Sequence, residues 1–352
     1  MLYLFLIGVI GFAAYLIFRN REGDSNTNET QLGLQTPRSV STPSGGAILD
    51  LRDSSPRPEE VHPRPEVKTA KPRDRATSSR IGFERTGEYV QGCPKGVYTI
   101  NPDGSDIRHV RPTGESPRWS PDGCWIGFLE STRDNAGLHS VFVMRPDGAD
   151  VRQLTHHNDV DATPPCWSPD SRRLAYSLYL WSEKRYELCV VEVATKKWKH
   201  LIYTDDSIYP VWSPADRILV SIRQGNSDLR LFEVDPYTGQ LREAALFESG
   251  DSEPIWTPDG RRAVFGRDAG IAVRDTGTSQ TRVIPTKRTA IQWAIAPDGE
   301  SVAYAAQETG SIAGFEIFVL GLNSQSKQKL VNNPIVDDHE VDSRYVSWSP
   351  YL

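Results

Sequence analysis

From residue 81 onward, short apolar runs alternate with turn-forming polar residues. The runs are rich in β-branched and aromatic side chains, as in residues 125–128 (WIGF), 141–144 (VFVM) and 187–191 (ELCVV). Gly, Pro, Asp and Ser bound many of these runs, which is typical of β-strands joined by tight turns. The pattern therefore predicts an all-β region built from many short strands.

One short string recurs through this region at nearly regular intervals. The string Pro-x-Trp-Ser/Thr-Pro, or a degenerate form of it, occurs at residues 117–121, 165–169, 210–214, 254–258, 293–297 and 346–350. Its last prolines are 39 to 53 residues apart. A period in the forties is that of a four-stranded propeller blade, so six copies predict six blades.

The two ends of this region complement each other. Residues 80–84, 96–100 and 106–110 match the second, third and fourth strands of a blade, but no first strand precedes them. Residues 345–350 match a first strand with no blade after it. Pairing the two would complete one blade and remove a free sheet edge. We therefore predict an all-β, six-bladed β-propeller over residues 81–352, with the C-terminal strand closing the first blade.

The repeat resembles that of the TolB-like β-propeller family, which is related to the WD repeat. Residues 143–148 (VMRPDG), 151–155 (VRQLT) and 165–170 (PCWSPD) are very close to the family pattern, and the likeness covers residues 81–352. It implies a bacterial cell-envelope protein that lies outside the cytoplasmic membrane and binds a protein. A different N-terminal region replaces the family's small α/β domain, so the family's lipoprotein partner is not transferred to this chain.

Five of the nine tryptophans stand in the recurring string. We interpret them as structural residues that pack between adjacent blades, because large aromatic side chains bury the most area there. The Asp-Gly pairs that follow are turn residues. The five are Trp119, Trp167, Trp212, Trp256 and Trp348.

The N-terminal residues 1–18 have a different character. Leu2 to Phe18 is an uncharged apolar run of 17 residues, and Arg19 and Arg21 follow it. As a helix it would be about 26 Å long, the short end of a membrane span. No Lys or Arg precedes the run and no small-residue cleavage site follows, which favours an uncleaved anchor over a signal peptide. We predict a single-pass transmembrane anchor in the cytoplasmic membrane.

Residues 19–80 have few apolar clusters and contain S-T-P-S-G-G and two Pro-Arg-Pro strings. Such a composition buries too little apolar surface to offset chain entropy, so we predict a disordered, Pro-rich linker. It holds 11 Lys or Arg against 9 Asp or Glu. A solvated spacer is the simplest interpretation, and a docking ligand or a phospholipid-binding patch are the alternatives.

Charge and cysteine content bear on partners and location. The net charge of −6 argues against a general nucleic-acid binder, which needs a basic surface. The four cysteines are predicted to be unpaired thiols. They and the two arginines after the anchor indicate the cytoplasm, whereas the resemblance indicates the outside. We favour an extracytoplasmic propeller.

The loops that lead from the last strand of one blade to the first of the next are acidic. We predict that they form a mouth of negative potential around the channel, which attracts a protein or basic peptide. A cation in the channel and the protein's own basic linker are alternative occupants. The partner-binding candidates are Asp159, Asp161, Asp205, Asp206, Asp251, Glu253, Asp337 and Asp338.

No catalytic motif accompanies the repeat: G-x-S-x-G, G-x-x-x-x-G-K-[ST], H-E-x-x-H and C-x-x-C are all absent. Residues 156–161 (HHNDVD) contain metal-ligand types, but adjacent histidines rarely point at one centre, so we predict no metal and no cofactor. We expect a non-enzymatic binding protein. The alternatives are a polysaccharide- or ligand-binding propeller, with aromatics such as Trp181 or Tyr209 near the rim, and a propeller-fold lyase or hydrolase.

Overall fold

The computed structural model describes residues 79–86, 94–131, 138–156, 160–205, 208–223, 229–248, 251–267, 270–286, 290–306, 315–331 and 342–349. The predicted anchor (1–18) and nearly all of the predicted linker (19–80) lie outside them. Within the part of the chain that the structure describes, no helix is long enough and apolar enough to span a lipid bilayer.

The strands of the first half of the propeller are short and regularly spaced. They are β1 (Ile81–Thr86), β2 (Gly96–Ile100), β3 (Arg108–Arg111), β4 (Gly114–Trp119), β5 (Ile126–Ser131), β6 (His139–Met144), β7 (Arg152–Gln153), β8 (Val160–Ala162), β9 (Cys166–Trp167), β10 (Arg173–Leu180), β11 (Arg185–Glu192) and β12 (Trp198–Thr204).

The second half repeats the pattern and ends on one additional strand. Its strands are β13 (Val211–Trp212), β14 (Ile218–Arg223), β15 (Leu229–Val234), β16 (Leu241–Glu243), β17 (Ser252–Trp256), β18 (Arg262–Arg267), β19 (Gly270–Asp275), β20 (Thr281–Pro285), β21 (Ala290–Ile295), β22 (Ser301–Ala306), β23 (Glu316–Gly321), β24 (Lys327–Lys329) and β25 (Asp342–Trp348).

These strands form six antiparallel sheets, one for each blade. In blades two and four to six the strands are hydrogen-bonded in chain order, and in the third blade the innermost strand is split into β8 and β9. The first blade has the order β25–β1–β2–β3, in which Trp348 lies opposite Ile81. The all-β, six-bladed propeller predicted from the repeat is confirmed, and its first sheet contains strands from both ends of the described chain.

The recurring string ends each inner strand in a tight turn held by side chains. In the third blade, Ser168 Oγ donates to Asp170 Oδ1 (2.5 Å) and accepts from the Arg173 backbone N–H (2.9 Å). Thr257 and Asp259 repeat the arrangement in the fifth blade. Asp and Ser side chains favour such turns because they bond the backbone locally. The Ser-Pro-Asp segment is therefore a stop signal that returns the chain as the second strand.

The tryptophans of the string lie against neighbouring blades. The Trp119 indole lies over Gly82 of the first blade, where a Cβ would be 3.0 Å from its nitrogen. Trp167 lies over Gly127 of the second blade in the same way, and its indole N–H donates to the Arg118 carbonyl at 2.8 Å. A glycine on the second strand of one blade thus makes room for the tryptophan of the next.

This contact predicts a large and local stability effect. Trp167 is 7% exposed, so Trp167→Ala should lower the free energy of unfolding by about 3–5 kcal/mol through lost burial and a cavity between blades. Trp198→Ala is the matched control, because Trp198 is 50% exposed and its loss should cost about 0.5 kcal/mol. Urea denaturation measures both. Equal losses would contradict a packing role for Trp167.

Candidate functional site

The alternation of strands divides the connections between the two ends of the propeller. The turns after the recurring string lie at one end with the connections between third and fourth strands. The connections that enter each inner strand lie at the other end, which we call the channel face. Most of the acidic residues predicted to bind a partner belong to this face.

The structure describes only some of these acidic residues. Asp159, Asp206, Asp337 and Asp338 lie outside the described residues. Asp161 belongs to β8, where its backbone lies opposite Tyr179. Asp205 follows β12 and is exposed. Asp251 and Glu253 lie at the start of β17, but the two carboxylates have very different surroundings.

Asp251 is the centre of a compact ion-pair network. Its side chain is fully buried, and its carboxylate accepts hydrogen bonds from Arg267 Nε (2.7 Å) and Nη2 (2.9 Å). Glu248, which is 67% exposed, pairs with Arg274 at 2.7 Å and with Arg267 at 3.3 Å. These two arginines lower the pKa of Glu248. Asp251 therefore fixes the loop, and Glu248 is its exposed carboxylate.

Glu253 faces the central channel. It remains exposed to solvent, yet the surrounding protein desolvates its carboxylate and raises its pKa. The nearby charge of Arg118 and a hydrogen bond from the Gln292 backbone N–H oppose this rise. Because β17 is the inner strand of its blade, this solvent-accessible and desolvated carboxylate lies close to the propeller axis. Glu253 therefore contributes negative potential within the channel itself.

Several inner strands share a backbone irregularity at the position that Glu253 occupies in β17. Four residues have left-handed φ values between 47° and 56°, and all occupy the position five before the last proline of the string. The strand register shifts there in each case. Such bulges redirect side chains at functional rims. The four are Ser116, Glu253, Gln292 and Tyr345.

The bulges connect neighbouring blades by hydrogen bonds. The Tyr345 backbone N–H donates to Gln292 Oε1 at 2.9 Å, and the Trp293 indole N–H donates to the Glu253 carbonyl at 2.9 Å. The Ser116 N–H donates to Glu84 Oε2 of the first blade at 2.7 Å. The residues at these bulges are therefore held by hydrogen bonds between blades and not by loops.

Arg118 is a channel residue that the sequence interpretation missed. It lies one position before Trp119, and its Nη1 donates to the Pro117 carbonyl (3.0 Å) and to the Tyr345 carbonyl (3.4 Å). Burial lowers the pKa of its guanidinium. A polar residue directly before the tryptophan of the string was the signal available in the sequence, but the string alone does not show which copies face one another.

Exposed aromatic side chains gather at the tip of the third blade. Strands β10 and β11 are eight residues long, whereas β5 and β14 have six. Trp181 and Tyr203 are 40% and 44% exposed, and the Arg185 guanidinium stacks 3.7 Å from the Tyr203 ring centroid. Tyr209 is also exposed, three positions before Trp212. This surface, here called the third-blade aromatic patch, contains Trp181, Arg185 and Tyr203.

Metal and thiol chemistry have little support in the described side chains. No group of three His, Cys, Asp or Glu among them is arranged to hold a metal ion, although His157 and Asp159 are not described. Cys124, Cys166 and Cys189 are free thiols, and Cys93 is not described. Burial raises the pKa of Cys166, beside the channel, to about 12, so it is an unreactive thiol at neutral pH.

The desolvated Glu253 predicts a pH-dependent stability difference. Because its pKa is raised in the folded state, its cost is absent below the unfolded pKa of about 4.3 and grows as pH rises through the folded value. Glu253→Gln retains the acceptor for the Gln292 N–H. The variant should therefore be more stable than wild type at pH 7, and the difference should vanish near pH 4, as measured by urea denaturation.

The control for this experiment is Glu243→Gln, which removes an exposed carboxylate paired with Arg230. It should change stability little and with the opposite sign, because surface pairs contribute weakly. A gain for Glu253→Gln that is the same at pH 4 and pH 7 would refute the assigned environment.

Comparison with known proteins agrees with the propeller fold. No family model matches the chain. The Tol-Pal system protein TolB of Francisella tularensis subsp. mediasiatica is 22% identical over 243 residues, which is 67% of this chain and 54% of that protein. The uncharacterized peptidase YuxL of Bacillus subtilis is 24% identical over 170 residues, 45% of this chain and 22% of that protein.

The structure of TolB from Acinetobacter baumannii has a TM-score of 0.62 at 15% identity, over 78% of this chain and 67% of that chain. This likeness concerns the fold. The chain spans about half the length of the TolB sequence that it matches. The chain is therefore a six-bladed β-propeller that is similar to TolB in sequence and in fold.

Proposed function

We propose that this protein is a membrane-anchored, non-enzymatic propeller that binds a protein or basic peptide through its channel face, in cell-envelope assembly or sensing. The observation that carries the proposal is the set of solvent-accessible carboxylates at that face. Asp205 lies exposed on one of its loops and Glu253 lies on the inner strand β17, whereas Glu248 is paired with Arg267 and Arg274. The similarity to a Tol-Pal system protein supports a protein as the partner.

The charges at this face favour a basic ligand by their summed field. Asp205 is exposed, and further acidic residues of the sequence belong to the same connections. Many partly exposed charges of one sign raise the local concentration of an oppositely charged partner and accelerate its association. The attraction acts within roughly 8–10 Å at physiological salt. A cation could bind at the same face, but a peptide would interact with carboxylates on several loops at once.

A binding role is preferred to an enzymatic one because of the extent of the similarity to each relative. The similarity to the peptidase YuxL covers only 22% of that protein, so its activity is not carried over to this chain. The similarity to TolB covers 67% of this chain. We therefore propose no lyase or hydrolase activity.

The proposed location follows from the N-terminal sequence. The apolar residues 1–18 would anchor the chain in the cytoplasmic membrane, and the Pro-rich residues 19–80 would separate the propeller from the bilayer. The resemblance to TolB favours an extracytoplasmic propeller, so the partner would be another envelope component.

The third-blade aromatic patch supports a second candidate function, the binding of an envelope polysaccharide. Trp181 presents aromatic surface to solvent, whereas the Tyr203 ring is stacked by the Arg185 guanidinium and by the His200 ring. Rigid aromatic side chains recognise apolar ring faces at little entropic cost. Trp181→Ala should abolish binding of a purified oligosaccharide if this function is the correct one, and should leave binding of a basic peptide unchanged.

The first test of the proposed function is charge removal at the channel face. Replacing Asp159, Asp161, Asp205 and Asp206 by Asn should weaken binding of a synthetic Lys-rich peptide about tenfold at low salt. Each screened charge would contribute ~0.3 kcal/mol. The dependence of the dissociation constant on salt concentration should also flatten. Fluorescence anisotropy at several salt concentrations measures both effects.

A matched control removes the same charge from the opposite end of the propeller. Asp147, Asp170, Asp259 and Asp298 lie in turns there, and Asn retains an acceptor for their turn hydrogen bonds. This variant should bind the peptide nearly as well as wild type. Unchanged affinity in the channel-face variant, or equal weakening in both variants, would refute the proposal.

The location has its own test by protease shaving of cells whose inner membrane is sealed and whose outer barrier has been opened. The segment 31–80 is the expected cleavage site because its composition predicts disorder. Release of a resistant, propeller-sized fragment is the expected result. Complete protection until detergent dissolves the membrane would place the propeller in the cytoplasm and reduce the TolB likeness to fold alone.

A further inference from the structure

Two opposite charges face each other across the channel. Arg118 belongs to the second blade and Glu253 to the fifth, and these blades are diametrically opposed in a ring of six. Arg118 lies one position before the tryptophan of its string and Glu253 lies three positions before, but the Arg118 guanidinium reaches the carbonyl of Tyr345, which occupies the same position in its strand as Glu253. The channel thus presents a guanidinium and a carboxylate on opposite inner strands.

The guanidinium has hydrogen-bonding capacity to spare. Its Nη1 donates to the carbonyls of Pro117 and Tyr345, but no acceptor in the described part of the chain engages Nε or Nη2. No described carboxylate lies within 4.0 Å of it. The Tyr345 ring centroid is 5.9 Å from its central carbon, so the group is held in place. A guanidinium with free, adjacent donors is suited to a carboxylate.

Glu253 is similarly uncompensated. Its partner is the Gln292 backbone N–H, and no Lys or Arg side chain that the structure describes comes within the 4.0 Å of an ion pair. Arg118 acts on it only through space. Two desolvated charges that do not meet each other are costly to maintain. A ligand that carries both a carboxylate and a cation would satisfy both at once.

We infer that the channel receives the carboxyl terminus of a peptide, with the terminal carboxylate on Arg118 and a basic side chain near that terminus on Glu253. The two side chains belong to opposite blades and do not form an ion pair, which favours this ligand over a free α-amino acid, whose ammonium and carboxylate are only about 3 Å apart. A terminal Lys places its ammonium roughly 6 Å from its own carboxylate. The inference rests on the proposed function, because a basic peptide must first reach the acidic mouth.

The experiment compares two synthetic peptides that differ only at the carboxyl end. Both have the sequence Gly-Ser-Gly-Ser-Lys-Lys and an amino-terminal fluorophore, but one ends in a free acid and the other in an amide. Wild-type protein should bind the acid at least about tenfold more tightly, the loss of a bidentate Arg–carboxylate pair being of that order. An acidic mouth alone predicts the opposite preference, because the amide is the more positive peptide.

Variants test which residues cause the preference for the free acid over the amide. Arg118→Gln should reduce the acid-to-amide ratio to about one, and Arg118→Lys should restore part of it. Glu253→Gln should weaken both peptides and retain a preference for the acid. Arg145→Gln, at the opposite end of the propeller, is the matched control and should leave the ratio unchanged.

The outcomes separate this inference from the proposed function. If wild type binds the amide as tightly as the acid, and binding still depends on salt, the channel site is refuted and the acidic mouth stands. If neither peptide binds, both are refuted. The comparison of the two peptides on wild-type protein decides the question even if Arg118→Gln does not fold.

Discussion

A four-stranded sheet of this length cannot bury both of its faces alone, and the contact between neighbouring blades supplies what is missing. The recurring string provides that contact twice over, through a buried tryptophan and through the turn that follows it. Trp167 lies over Gly127 and bonds the carbonyl of Arg118, so packing and polar satisfaction coincide at one side chain. The pairing of β25 with β1 gives the first blade its inner strand.

Contacts between neighbouring blades also determine the structure of the channel. Because the inner strands converge at the axis, their bulges turn backbone N–H groups toward acceptors in the neighbouring blade, as Tyr345 does toward Gln292. The left-handed φ of Glu253 is tolerated for the same reason, since its carbonyl is bonded by Trp293. The polar channel lining is therefore built on the most constrained part of the fold, which makes it a preorganised surface for binding.

The fold could be predicted well from the sequence because the recurring string marks the inner strand of each of the six blades. The composition of the segments between the copies then identifies the remaining strands. The site was harder to predict. Asp251 looked like a loop carboxylate, but its partner Arg267 is 16 residues away on β18, and only the folded blade brings them together. Arg118 and Glu253 come from opposite blades, and no local pattern pairs them. The acidic character of the loops was visible in composition, whereas the compensation of individual charges is a tertiary property.

Hydrogen–deuterium exchange with and without a saturating Lys-rich peptide tests the central claim, that ligands enter at the channel face. The account predicts added protection in the inner strands and their entry segments, residues 114–119, 208–212 and 251–256. The turns at the opposite end, residues 168–173 and 257–262, should exchange as before. Protection confined to those turns, with the inner strands unchanged, would contradict the account.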